Sequence, residues 1–76
     1  MTYLVQAKLE MIQLADRCEE ILKELLNELI IAKKFEEERN EFGSELCYGN
    51  IKIMSNELKE IHAKMEGIMT VLKAMQ

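Results

Sequence analysis

Two runs of apolar positions, each spaced alternately four and three residues apart, organise the chain. The later run is Cys47, Ile51, Met54, Leu58, Ile61, Met65, Ile68, Leu72 and Met75. Every position in it is apolar over about four heptads, the pattern of a coiled-coil seam. The earlier run, Met11, Ala15, Cys18, Leu22, Leu25, Leu29 and Ala32, follows the same rule. No Gly or Pro falls between Thr2 and Phe42, and good helix formers dominate there. Gly43 suits a helix C-cap, and Ser44 or Asn50 suits the N-cap of a second helix. The pattern predicts a helix over about 2–42, a turn within 43–50 and a helix over about 50–75. The expected fold is all-α: one domain over 1–76, an antiparallel coiled-coil-like hairpin of two helices. A short connection leaves no other way to pair the seams.

The two predicted helices differ in apolar breadth. Outside its seam the second shows Glu57, Lys59, Glu60, Lys64, Glu66 and Lys73, and needs one partner helix. The first carries Ile21, Leu26, Ile30, Ile31 and Phe35 on both sides of its seam, widened by Leu9, Ile12 and Leu14. One facing helix cannot cover an arc that wide. A turn centred near Ser44 also leaves the start of the first helix, with Tyr3, Leu4, Val5, Leu9, Met11 and Ile12, overhanging its mate by ~15–18 Å. The hairpin is therefore expected to be completed by oligomerisation or by a partner chain. The contact is expected at Leu4, Leu9, Ile12, Ile30, Ile31 and Phe35.

Composition narrows the function classes. The chain has 76 residues, 49% apolar and 5% aromatic, with a net charge of −4. That balance disfavours nucleic acid as a partner. Uncharged apolar runs are too short to span a bilayer. The opening residues lack a basic segment leading into an apolar core, so no signal peptide is expected, and a cytoplasmic location follows. In that compartment Cys18 and Cys47 are expected to stay reduced. The predicted hairpin also sets them about 35 Å apart, beyond a disulfide. They read as small seam hydrophobes. His62, the one histidine, lies beside Ile61 and reads as a seam-flanking polar residue. No catalytic constellation, cofactor motif or metal-ligand spacing is present, so no enzyme is expected. The acidic stretch Glu36-Glu37-Glu38-Arg39-Asn40-Glu41 reads as a solvated helix end, or as a guide for a basic partner. Met54, Met65 and Met75 make the seam adaptable. Gly67 marks a possible close approach between helices.

The stretch Leu25-Leu26-Asn27-Glu28-Leu29-Ile30-Ile31-Ala32-Lys33-Lys34-Phe35-Glu36-Glu37-Glu38-Arg39-Asn40 runs from aliphatic to basic to acidic and into a turn. With the size and the hairpin pattern, it resembles the small co-chaperones of the type III secretion needle subunit in Gram-negative pathogens. The resemblance implies pairing with a tetratricopeptide-like chaperone that, with this chain, keeps the needle subunit soluble and unpolymerised before export. Alone, such a chain is expected to form a homodimer or higher oligomer. The residues by themselves also allow a self-assembling four-helix scaffold, or a regulatory hairpin that binds another protein.

Overall fold

A computed structural model describes residues 2–75. It contains two helices, α1 (Tyr3–Glu37) and α2 (Glu41–Ala74), packed along one another as a hairpin. The molecule measures 55 × 15 × 14 Å. Both helices start on a side-chain cap. The Val5 N–H donates to the Thr2 hydroxyl, and the Gly43 N–H donates to Asn40 Oδ1 at 3.0 Å. Each satisfies an N–H that the first turn of a helix leaves without an intrahelical partner.

The turn is Glu38–Arg39–Asn40, earlier than the 43–50 that the glycines suggest. The Arg39 N–H donates to the Glu36 carbonyl, and the Asn40 N–H donates to the Phe35 carbonyl at 2.8 Å. This nested pair is a Schellman ending. Its left-handed position, where glycine is usual, holds Arg39 at φ 58°. Asn40 closes one helix and caps the next, so the reversal needs no longer loop. Gly43 and Ser44, expected in the turn, lie buried in the first turn of α2.

Moving the turn resets the pairing. Arg17 meets Glu57, Glu28 meets Asn50, and Phe35 meets Gly43. Residues whose numbers add to about 78, rather than about 88, therefore lie level. Tyr3 then stands opposite Met75, the two helices are nearly equal at 35 and 34 residues, and the expected overhang of α1 is absent. Cys18 lies level with residue 60 and Cys47 with residue 31, about 20 Å apart along the axis rather than 35 Å. Both are free thiols.

The seam of α2 is lined by Ser44, Cys47, Ile51, Met54, Leu58, Ile61, Met65, Ile68 and Leu72, buried or half-buried; Met75 is exposed. On α1 the residues turned inward are Ala7, Met11, Leu14, Cys18, Ile21, Leu25, Glu28, Ala32 and Phe35. This is also a four-three run. It shares Met11, Cys18, Leu25 and Ala32 with the expected seam and replaces Ala15, Leu22 and Leu29, all exposed. The helix is rotated because Ile21, Leu14 and Phe35 fill the interface better than Ala15, and Phe35 needs the flat ledge that Gly43 offers. The cost is that Glu28 enters the seam.

Candidate protein-docking surface

The seam pairs divide the hairpin into two flanks. On one, the Arg17 guanidinium donates to Glu57 Oε2 at 2.7 Å through Nη2 and at 3.1 Å through Nε. Glu57, then Glu20, hold the Arg17 pKa above its ordinary value by hydrogen bonding. On the other flank, the Tyr48 hydroxyl donates to Glu36 Oε1, and the Ser44 hydroxyl approaches the same oxygen at 3.4 Å. Glu36, foremost by that hydrogen bond, raises the Tyr48 phenol pKa. Glu36 is therefore engaged by α2, whereas Glu37, Glu38, Glu41 and Glu45 stay exposed around it.

Leu29, Leu22 and Ala15 follow Glu36 back along α1 in steps of seven, so they share the Tyr48 flank. Beside them run Leu26, Ile12 and Val5, with Ile30 and Leu9 further round. The result is an exposed apolar strip along α1, interrupted by Glu19, which stands midway between Ile12 and Leu26 on their row. Leu26 is 61% exposed, Ile30 60%, Ile12 58% and Leu22 54%. Monomeric proteins rarely leave an apolar surface of that length in water.

The strip overlaps the expected partner contact without coinciding with it. Leu9, Ile12 and Ile30 lie on it. Leu4, at the open end of the seam and 38% exposed, borders it. Ile31 is half-buried on the Arg17 flank, and Phe35 is half-buried against Gly43, so neither is available to a partner in the way expected. Val5, Leu22, Leu26 and Leu29 complete the strip. The signal that identifies them is a second four-three run on α1, rotated about 100° from the seam and broken by Lys8, Glu19 and Lys33.

The second helix is less lean than its pattern suggests. Phe42, Leu46 and Ile53 are 73%, 56% and 65% exposed. Leu46 and Ile53 lie beyond Gly43 and Asn50, on the Arg17 side, so this smaller patch faces away from the strip on α1. Nothing lies within 4 Å of a Cβ placed on Gly67, so Gly67 marks no close approach to α1.

Polar chemistry inside the seam centres on Glu28. Its Oε1 accepts a long 3.5 Å contact from Asn50 Nδ2, and its Oε2 is buried without a partner. Cys47 packs beside it. Burial, reinforced by the Glu28 carboxylate, raises the Cys47 thiol pKa. Cys47 is thereby kept as an uncharged thiol, unsuited to nucleophilic work. His62 is exposed and lies 3.7 Å from Glu66. Among the described residues, no three His, Cys, Asp or Glu side chains converge as a metal site. No helix among them is long and apolar enough to cross a membrane.

No family model, curated protein or solved structure matches the chain.

Proposed function

We propose that this chain is a non-enzymatic protein-binding module whose docking surface is the apolar strip of α1. The observation that carries the reading is the exposure of Ile12, Leu22, Leu26 and Ile30 along one face of a helix already paired on another. A buried contact at such side chains contributes ~1.5–3 kcal/mol each before association costs are deducted.

The specific form of the proposal follows the resemblance in the stretch 25–40. The chain acts in the cytoplasm as a type III secretion co-chaperone. It stabilises a tetratricopeptide-like chaperone, and together they hold the needle subunit unpolymerised until export. The strip suits that work, because grooves between stacked helical pairs accept an amphipathic helix by its apolar face. No cofactor, metal, nucleic acid or membrane insertion enters this mechanism.

The test is co-expression with a tetratricopeptide-like chaperone and needle subunit from the same secretion locus. Leu26→Glu combined with Ile30→Glu is expected to abolish co-purification while far-ultraviolet circular dichroism stays helical, since both side chains point to solvent. Undiminished co-purification by the folded double variant would overturn the docking face. Absence of binding by the unmodified chain would overturn the co-chaperone reading.

A further inference from the structure

The outer face of α2 carries a short apolar ridge between two acidic grooves. From it we infer a second docking surface, for a helix of another protein whose apolar face is edged by Lys or Arg. Phe42, Leu46, Gly49 and Ile53 follow one another at steps of four, three and four, so they share one face of α2. That face is turned away from the strip on α1. Phe42 and Ile53, at 73% and 65%, are the most exposed large apolar side chains among the described residues, and Leu46 is 56% exposed. Gly49 sits in the middle of the ridge. No glycine has a positive φ, and nothing lies within 4 Å of a Cβ placed on Gly49, so the hairpin itself does not require a glycine there. Bare helix backbone at that point lets a partner helix approach closely.

Charge names the partner. On one side of the ridge a groove of about 450 Å³ is lined by Glu36, Glu41 and Glu45, with Arg39 beside them. On the other side a groove of about 320 Å³ is lined by Glu24 and Glu28 together with Asn50 and Ile53, and no cation lines it. Glu28 keeps a buried Oε2 that bonds to nothing. A cation brought into this groove therefore compensates a carboxylate that the hairpin leaves unpaired. Beyond Ile53 the line of the ridge runs on into Asn56 and Glu60. Between residues 24 and 54 seven carboxylates stand against four cations, Lys33, Lys34, Arg39 and Lys52, so this half holds three of the chain's four net negative charges. Of those cations only Lys52 borders the ridge on α2, beyond Glu45. Such a field draws in a cationic partner and turns away nucleic acid and anionic membranes. A helix with apolar residues at matching spacing and Lys or Arg on both edges covers the ridge and puts a positive charge into each groove.

Two synthetic amphipathic helices of about 18 residues test the inference. Both carry Leu at four-three spacing on one face, edged by Lys in one peptide and by Glu in the other. Fluorescence anisotropy against the full chain should show the Lys-edged peptide binding, about tenfold more weakly at roughly 300 mM than at roughly 50 mM salt, and the Glu-edged peptide not binding. Ile53→Lys should abolish binding while circular dichroism stays helical. Leu22→Lys, the same change of charge on the strip of α1, should leave it intact. Glu24→Gln combined with Glu45→Gln should weaken binding about tenfold and flatten its salt dependence. Failure of the Lys-edged peptide to bind, equal binding of both peptides, or loss through Leu22→Lys in place of Ile53→Lys would overturn the inference. So would self-association of the unmodified chain that Ile53→Lys removes, since a second copy would then occupy the ridge. The strip of α1 takes no part here, so co-purification with a tetratricopeptide-like chaperone and binding at the ridge fail separately.

Discussion

The ring of Phe35 lies flat on the backbone of Gly43, so close that a Cβ there would sit 2.8 Å from ring atoms. The contact closes the hairpin directly beneath the turn and explains why a glycine occupies the first turn of a helix. Gly43→Ala is expected to destabilise the fold by ~1–3 kcal/mol through the forced displacement of Phe35. Gly67→Ala meets open space and should stabilise by up to about 1 kcal/mol, the ordinary difference in helix propensity. Urea unfolding of the two variants should therefore shift in opposite directions. Equal shifts would contradict the packing of Phe35.

Arg39 holds a left-handed backbone conformation with a side chain that disfavours it. Arg39→Gly removes that strain and loses some stability through the freer unfolded chain. The net expected gain is about 0.5–1 kcal/mol, or several degrees in Tm for a chain of this size. A decrease in Tm would show that the Arg39 side chain contributes contacts that outweigh its backbone strain.

Glu28 is the one carboxylate in the seam, with a buried oxygen that nothing bonds. Replacing it with Leu removes a desolvated polar atom and lets the interface close on Cys47 and Met54. The expected gain is ~1–3 kcal/mol, measured by the midpoint of denaturant unfolding. The same polar position pins the register of α1 against Asn50, so Glu28→Leu should also broaden the set of pairings the helices adopt. Loss of sharp chemical-shift dispersion alongside a higher midpoint is the expected pairing of results.

The raised pKa of Cys47 has a sign that can be read in stability. A thiol whose folded pKa exceeds its unfolded value of about 9.0 stabilises the fold fully below that pH. The contribution is lost as pH rises through the folded value, because the unfolded chain ionises first. The Tyr48 phenol, raised above 10.0 mainly by its hydrogen bond to Glu36, acts in the same sense at higher pH. Thermal unfolding should show Tm falling above pH 9, and Cys47→Ala should flatten the first part of that fall. At pH 7.5, Cys47 should also react with a thiol reagent more slowly than the half-buried Cys18. Faster labelling of Cys47 would contradict its burial.

The sequence by itself determined the class of the fold. Long proline-free segments rich in helix formers made two helices, and the narrow apolar stripe of α2 allowed only one face, so Cys47 to Leu72 could be placed against a partner helix from spacing alone. It also showed that α1 has more apolar surface than one neighbour can cover. What it did not determine is how α1 is turned. An apolar arc of about 200° contains several four-three runs, and periodicity has no means of ranking them. The run through Ala15, Leu22 and Leu29 carries no charge, whereas the run that packs contains Glu28. Packing made the choice instead: Ile21 and Phe35 fill the interface, Glu28 comes with them, and Leu22 and Leu29 are left outside. The turn was hidden for a similar reason. Glycine is the usual left-handed residue, so Gly43 marked the reversal in the sequence, yet Gly43 was needed where Phe35 lands. Arg39 and Asn40 turn the chain, because closing two nearly equal helices over their full length outweighs the local strain at one residue.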